Sequence, residues 1–253
     1  MNNLKKIFYI GLYSLKEHLN SKILYFFISF SFLLIYFTVV IGLMAVDYEK
    51  KALIDFGLTI IELSSFLFSI FIASLTIQKE IETKTIYMVI SRPVSRATYV
   101  LGKLLGIYFI MAFIIFILFS IDLSVLLLKG YYPDRLYFLS ILFIYFKIML
   151  ISSIAMLLTS FTTSNLSSLL ISLMIWILGH FTSEIKYITL KLTSFKLYLA
   201  SLFIYSIPNF QLLNLKDSPS LSAFNFNSAF LYFALYMLVI IFLNVKALSR
   251  KEY

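Results

Sequence analysis

Residues 77–103 read Ile77-Gln-Lys-Glu-Ile-Glu-Thr-Lys-Thr-Ile-Tyr-Met-Val-Ile-Ser-Arg-Pro-Val-Ser-Arg-Ala-Thr-Tyr-Val-Leu-Gly-Lys103 and form a charged island between two long apolar runs. The whole chain of 253 residues is 61% hydrophobic and 13% charged, whereas soluble domains are roughly 45–50% apolar and about 25% charged. Several apolar runs approach or exceed the roughly 18–20 residues that cross a bilayer as a helix. A polar segment between two such runs must lie at a membrane surface, where a soluble partner can reach it.

The apolar runs predict an all-α integral membrane protein that forms a single domain over residues 1–253. We expect six transmembrane helices, at residues 22–46, 56–77, 99–128, 137–158, 165–181 and 228–245. Short polar connections separate them, including Asp47–Lys51 and the uncharged turn Thr159–Asn165.

Residues 1–21 are expected to form an interfacial helix that lies on the membrane surface. Its apolar face would carry Leu4, Ile7, Phe8, Gly11, Leu12, Leu15 and Leu19, and its polar face Lys5, Lys6, Lys16, Glu17 and Asn20. The alternative is an ordinary basic flank of the first span.

Residues 185–226 are expected to form a surface or partly re-entrant helical segment outside the cytoplasm. Apolar residues from Ile185 to Leu202 repeat at helical spacing, but Lys186, Lys191 and Lys196 interrupt them. Pro208-Asn209 and Ser218-Pro219 then break the chain. A seventh span at 187–207 is disfavoured because it would move the basic tail to the outer side.

The formal net charge of +9 is explained by membrane topology and not by nucleic-acid binding, because Lys and Arg cluster at the ends of the apolar runs. With six spans, one side would carry twelve of them: Lys5, Lys6, Lys16, Lys22, Lys79, Lys84, Arg92, Arg96, Lys103, Lys246, Arg250 and Lys251. The other side would carry eight: Lys50, Lys51, Lys129, Arg135, Lys186, Lys191, Lys196 and Lys216. The larger set predicts that both termini are cytoplasmic.

No residue set in the sequence is typical of a catalytic or cofactor site. A phosphate-binding loop needs Gly, four residues, then Gly-Lys-Ser/Thr, but Gly102-Lys103 has Ala97 and Leu104 at the two decisive positions. Two His and no Cys offer no metal centre and no thiol nucleophile. We therefore expect neither an ATP site nor a metal site in this chain.

Three ionisable residues, Glu62, Asp122 and Lys147, lie inside predicted spans and should face the bundle, water or a partner charge. An ion pair of Lys147 with Asp122 or with Glu62 is one interpretation. Small and hydroxylated residues lie on the same side of span 2 as Glu62: Thr59, Ser65, Ser69, Ala73 and Thr76. This stripe fits close helix packing as well as a substrate path.

Glycines and caps predict the local structure around the island. Gly102 and Gly106 are spaced for a close helix contact at the start of span 3. Pro93 forces an extended or turned backbone before it, and Ser95 is a suitable N-cap for span 3. The expected result is a cytoplasmic helix–turn–helix with exposed charges; the alternative is a solvated loop that obeys the positive-inside rule.

The island carries a family resemblance in three motifs: Glu80-Ile-Glu-Thr-Lys-Thr85, Ile90-Ser-Arg-Pro-Val-Ser-Arg96 and Tyr99-Val-Leu-Gly-Lys103. At these residues the chain resembles the permease subunits of type-2 ABC transporters, and more narrowly the branch that includes the permease of the copper-dependent nitrous-oxide reductase maturation system. The N-terminal helix, the stretch from Pro208 to Lys216 and the Arg250-Lys-Glu tail are also similar. The chain lacks a clear metal-binding set, so copper or sulfur cargo is not implied.

The resemblance implies that residues 78–98 form a coupling segment seated in a groove of a separate ATPase subunit, which would hold ATP and Mg²⁺. The implied coupling residues are Lys79, Glu80, Glu82, Thr85, Arg92, Pro93 and Arg96. A second copy or a homologous permease would complete the unit in a bacterial cytoplasmic membrane. Spans 2 and 5 would line the dimer interface and path, with Glu62, Ser65 and Ser69 from span 2 and Ser164, Ser168 and Ser172 at span 5.

The resulting hypothesis is the membrane subunit of an ABC exporter, driven by ATP hydrolysed on its partner. Two alternatives stay open on the sequence. One is an ATP-independent, ion-coupled carrier that uses Glu62, Asp122 and Lys147, and the other is a non-transporting membrane anchor for a soluble complex.

Overall fold

The computed structural model describes residues 3–45, 48–82, 95–162, 164–189, 207–218 and 220–250. The α-helices in these ranges are α1 (Asn3–Leu19), α2 (Lys22–Met44), α3 (Glu49–Glu82), α4 (Arg96–Leu128), α5 (Arg135–Phe161), α6 (Asn165–His180), α7 (Thr182–Thr189) and α8 (Phe226–Arg250). Short 3₁₀ turns at Phe210–Leu213, Leu215–Asp217 and Leu221–Ala223 lie between α7 and α8. The described fold is therefore helical.

Five of these helices are long and apolar enough to cross a membrane: Lys22–Met44, Glu49–Gln78, Arg96–Leu128, Arg135–Phe161 and Phe226–Ala247. They coincide with five of the six predicted spans. The predicted span at 165–181 coincides with α6, an apolar helix of only 16 residues. At 1.5 Å per residue α6 is about 24 Å long, less than the roughly 30 Å hydrocarbon core, so a sixth span stays a prediction.

Two predicted connections are shorter in the structure. α3 begins at Glu49 and not at residue 56, so most of the predicted polar loop Asp47–Lys51 is helical. α5 continues to Phe161 and α6 begins at Asn165, so both ends of the predicted turn Thr159–Asn165 are helical. In both places polar side chains extend the helix beyond its apolar part, which hydropathy cannot detect.

The N-cap predicted at Ser95 is confirmed, because its hydroxyl accepts a hydrogen bond from the Thr98 backbone at 3.2 Å. The predicted helix–turn–helix before it falls largely on residues 83–94, which lie outside the described residues.

The N-terminal helix α1 packs along the first turns of α4 through small residues. A Cβ atom added at Gly102 would lie 2.6 Å from Ile10, and one added at Gly106 would lie 2.5 Å from Ser14. The face of α1 that is buried carries Gly11, Ser14 and His18. The apolar face proposed from sequence is therefore only part of the contact, since Leu4, Phe8 and Leu12 are exposed.

Residues 207–218 return into the bundle after α7. Phe210, Leu213 and Leu215 are fully buried, and Gly179 leaves room for this segment, because a Cβ there would lie 2.5 Å from the Pro208 carbonyl oxygen. These positions belong to residues 207–218 alone, and the surface or partly re-entrant placement of residues 185–226 stays a prediction. Residues 190–206 lie outside the described ranges.

Polar contacts show which helix ends meet. At one end, His18 of α1 lies 3.4 Å from Thr76 of α3, and Ser74 of α3 lies 2.8 Å from Ser168 of α6. At the opposite end, Glu49 at the start of α3 pairs with Lys129 after α4 at 3.0 Å. The helices thus alternate in direction, as successive membrane spans must.

Candidate functional site

A buried charge cluster centres on Glu62 in the middle of α3. Its Oε1 atom accepts a hydrogen bond from the Lys147 ammonium of α5 at 2.5 Å. Glu62 is 4% exposed and Lys147 1% exposed, so each charge is isolated from water and needs the other. Of the two ion pairs open on the sequence, the structure forms Lys147 with Glu62 and not Lys147 with Asp122.

Two further basic side chains complete the Glu62 cluster. Lys216 from the returning segment lies 2.9 Å from Glu62 Oε2, and His180 at the end of α6 lies 3.2 Å from Oε1. The His180 Nδ1 atom also faces the Trp176 carbonyl at 2.9 Å. Both partners of the ring, the Trp176 carbonyl and the Glu62 carboxylate, are hydrogen-bond acceptors.

Aromatic rings form the wall beside this cluster. Trp176 of α6 stacks on Phe66 of α3 with ring centroids 4.3 Å apart, and lies 4.8 Å from Phe210 of the returning segment. Phe210 also stacks on the His180 ring at 5.3 Å. Aromatic contacts as well as ionic contacts therefore join the three elements that supply Glu62, His180 and Lys216.

Asp122 of α4 lies apart from the Glu62 cluster. Its Oδ2 atom accepts a hydrogen bond from the Tyr137 hydroxyl of α5 at 2.7 Å. Gly57 of α3 faces it so closely that an added Cβ would lie 2.2 Å from Oδ1. These contacts join α3, α4 and α5. The partner of Asp122 is therefore the Tyr137 hydroxyl and not Lys147, which the sequence had left as a possible partner.

The predicted intramembrane serines are buried in the bundle. Ser65, Ser69, Ser168 and Ser172 are all fully buried. Ser168 Oγ lies 3.0 Å from Thr159 Oγ1 of α5, while Ser69 and Ser172 donate to backbone carbonyls of their own helices. Apart from Thr59, which is exposed at the end of α3 near Glu49, the stripe on α3 lies inside the bundle, where small and hydroxylated residues let helices approach closely.

Four of the predicted coupling residues fall in the described part of the chain, at the end of the bundle where α1, α3 and α4 meet. Lys79, Glu80 and Glu82 lie in the final turns of α3, and Arg96 is the first residue of α4. Thr85, Arg92 and Pro93 lie outside the described residues. Nearby, the buried Lys103 of α4 pairs with Glu17 of α1 at 3.5 Å.

A cleft of about 880 Å³ opens at the opposite end of the bundle. Its lining residues are Tyr48, Glu49, Lys50, Lys51, Ile54, Asp55, Thr59, Tyr131, Asp134, Leu136, Tyr137, Lys216, Asp217 and Ser218. At its rim Tyr131 donates to Glu49 Oε2 at 2.9 Å, and this hydrogen bond raises the pKa of the Tyr131 hydroxyl. Lys216 joins the cleft to the Glu62 cluster because it belongs to both.

Sequence reasoning missed three members of the cluster: His180, Asn214 and Lys216. Asn214 Oδ1 accepts from Lys147 at 3.0 Å, and Lys216 Nζ also donates to Thr59 Oγ1 at 3.2 Å. The available signal was the polar pair Asn214 and Lys216, which alternates with the apolar residues Leu213 and Leu215. Polar residues spaced two apart in an apolar segment indicate one polar side turned toward a partner.

The described structure defines a class: a multi-pass helical membrane protein with a buried ionic cluster in its bundle. Among the described residues, no three His, Asp or Glu side chains come together as a metal site requires. Over residues 12–251 the chain matches the family described as ABC-2 family transporter protein, and it belongs to that family. None of the curated proteins matches the chain.

Membership in this family identifies the chain as the membrane component of an ABC transporter. Such permeases have no ATPase domain of their own, and the family implies a partner ATPase subunit that binds the ATP. The island at 77–103 and the charge cluster at Glu62 are thus parts of a transport subunit.

Proposed function

We propose that this permease is the membrane subunit of an ABC exporter in which residues 78–98 transmit the ATPase cycle to the helices. Family membership over residues 12–251 is the observation that carries the proposal. The direction of transport is proposed from the resemblance to type-2 permeases. The motif Ile90–Arg96 further supports a place in the branch that includes the nitrous-oxide reductase maturation permease.

The helix ends next to this segment support a coupling role. α3 leads into residues 83–94 and α4 leads out of them, and both helices contact α1, through Thr76 with His18 and through Lys103 with Glu17. A displacement of the segment would therefore act on α1, α3 and α4 together. In this proposal Lys79, Glu80, Glu82, Thr85, Arg92 and Arg96 contact the ATPase and Pro93 sets the turn.

The proposed membrane orientation puts both termini and residues 78–98 in the cytoplasm. The bias of twelve against eight basic residues supports it, as do the contacts of α1 with the ends of α3 and α4 that flank the segment. The cleft beside Lys216 would then open to the outside. A second permease copy would cover the exposed apolar face of α6 beside α3.

The coupling proposal is tested by reversing two charges of the segment. Co-expression of the permease with an ATPase encoded beside it should yield a complex whose ATP hydrolysis depends on the permease. The double variant Arg92→Glu, Arg96→Glu should insert normally and lose most of this dependence, because like charges would face the former partner groups. The measurement is the ATPase rate of the purified complex in proteoliposomes.

A matched control reverses two basic residues on the same side of the membrane but outside the segment. Lys16→Glu, Lys22→Glu changes the charge by the same amount at exposed positions of α1 and α2. Its ATPase coupling should equal that of the wild type. Unchanged coupling in the Arg92, Arg96 variant would remove the segment from the interface, and ATP-dependent movement of a solute would exclude a purely anchoring role.

A further inference from the structure

The segment 207–218 consists of short 3₁₀ turns and irregular backbone that reach into the helix bundle. Glu62 lies about 20 Å along α3 from Glu49, and Lys147 about 18 Å along α5 from Arg135. Residues 214 and 216 reach these side chains, so the segment descends well below the rim of the cleft. Non-helical backbone is tolerated at such depth only where protein surrounds it or water lines it.

Two polar contacts hold the lower end of the segment. Asn214 Oδ1 accepts from the Lys147 ammonium at 3.0 Å. Lys216 lies 2.9 Å from Glu62 Oε2 and donates to Thr59 Oγ1 at 3.2 Å. Both contacts join the segment to the same buried ion pair on α3 and α5.

The Lys216 contact differs in geometry from the other two contacts made by Glu62. Although its ammonium approaches Oε2 closely, the angle is not that of a hydrogen bond, and Oε2 accepts no hydrogen bond from the described residues. Oε1, in contrast, accepts from Lys147 at 2.5 Å. The Lys216 side chain also borders the cleft, where water can solvate the ammonium after separation. Release of Lys216 would leave Glu62 in contact with Lys147 and His180.

We propose that Lys216 and Asn214 latch the segment 207–218 over the Glu62–Lys147 pair, and that release of this latch opens the cleft down to the pair as an outer gate. The latch deepens the proposed transport function because it assigns a gate to the same subunit. Its test uses the purified permease without an ATPase, so failure of the latch and failure of the coupling proposal are distinguishable.

The absence of cysteine from the chain allows a direct accessibility test. Leu213→Cys places a single thiol on the segment at a position that is 0% exposed, so a membrane-impermeant maleimide should label it only when the segment lifts. Adding Lys216→Met should raise the labelling rate in proteoliposomes about tenfold or more. Adding Lys216→Arg should leave the rate near that of Leu213→Cys alone, because the charge is kept.

Two controls define the background. Lys50→Met removes a rim charge whose pair with Asp134 is largely exposed, 3.6 Å long and of little energetic value, so labelling of Leu213→Cys should stay unchanged. Leu212→Cys is 43% exposed and should be labelled in every background. It reports that the reagent reaches this side of the membrane.

Three outcomes would overturn the latch. The first is an unchanged labelling rate with Lys216→Met, which makes the contact dispensable for closure. The second is an equal rise with Lys50→Met, which makes the effect one of surface charge. The third is labelling of Ala155→Cys, a fully buried position on α5, in the Lys216→Met background, since the segment would then support the whole fold.

Discussion

Glu62 is a single carboxylate surrounded by three basic side chains from three different elements. Lys147 comes from α5, His180 from α6 and Lys216 from the returning segment. The energetic consequence depends on which member is removed. Without one cation, Glu62 keeps two partners, but without Glu62 the deeply buried Lys147 loses its counter-charge.

We predict that Glu62→Leu destabilises the protein more than Lys147→Met does. Removing the carboxylate leaves Lys147 uncompensated at 1% exposure, which costs about 3–5 kcal/mol for a buried pair broken on one side. Lys147→Met leaves the carboxylate with Lys216 and His180, so its cost should be nearer about 1–3 kcal/mol. The two losses of stability are compared by thermal unfolding of the purified variants in detergent.

The control for this order is Lys50→Met, which breaks an exposed pair with Asp134. Its effect should stay within about 1 kcal/mol, as is usual for surface ion pairs. Equal midpoints for Glu62→Leu and Lys147→Met would mean that Lys216 and His180 do not stabilise the carboxylate, contrary to the geometry described above.

Sequence alone could select Glu62 and Lys147 because charges inside apolar spans are costly and therefore need partners. It could not decide between a Lys147–Glu62 pair and a Lys147–Asp122 pair, because the choice depends on the register of α3, α4 and α5 along their axes. Gly57 decides part of this register by admitting Asp122 next to α3 and within reach of Tyr137. The effect of a glycine on helix register can be inferred only once the residue packed against it is known.

At the scale of elements, α1 and α4 form a helix pair. The spacing of Gly102 and Gly106 predicted a close helix contact but not its partner. The partner is α1, whose Gly11 and Ser14 face these glycines. The amphipathic pattern predicted that α1 is a helix. It could not predict the contact with α4, because that contact depends on small residues and not on the apolar face.

A pair of cysteines should report the α1–α4 contact. A Cβ added at Gly11 would lie 3.3 Å from Leu105 Cβ, close to the separation of about 3.5–4.5 Å that a disulfide needs. We expect Gly11→Cys, Leu105→Cys to oxidise to an intramolecular disulfide. Adding Gly106→Leu should reduce the oxidised fraction several-fold, because a side chain there would collide with Ser14. The oxidised fraction is measured by counting free thiols.

The matched control introduces the same residue at Ala112, an exposed position on α4. Ala112→Leu should leave the oxidised fraction of the Gly11, Leu105 pair unchanged. Equal oxidation with Gly106→Leu and Ala112→Leu would show that the small residues are not what brings α1 against α4.

At the scale of the whole molecule, hydropathy predicted six spans, and five of them are helices that exceed the bilayer-spanning length on their own. The region after α6 could not be predicted in the same way. α6 is short, ends where Gly179 admits Pro208, and is followed by backbone that folds back to Glu62. The stability of that region depends on contacts distant in sequence, including Asn209 with Thr182 and Tyr232.

α6 also bears on the assembly of the transporter. It is about 24 Å long, shorter than the hydrocarbon core, and a helix that is too short can be accommodated by oligomerisation instead of by thinning the bilayer. Its outer face is apolar, with Leu166, Leu170 and Met174 exposed. We therefore place the second permease copy of the proposed unit against α6.

This placement predicts that Met174→Cys, as the single thiol of the chain, forms a disulfide-linked dimer in native membranes under mild oxidation. Met174 is 62% exposed on α6, and Leu238 is 66% exposed on α8. Leu238→Cys is therefore a control with the same exposure on a face expected to meet lipid, and it should stay monomeric on non-reducing gels. Cross-linking of Leu238→Cys without cross-linking of Met174→Cys would move the interface to α8, because a thiol pairs only with one that a fixed contact holds nearby.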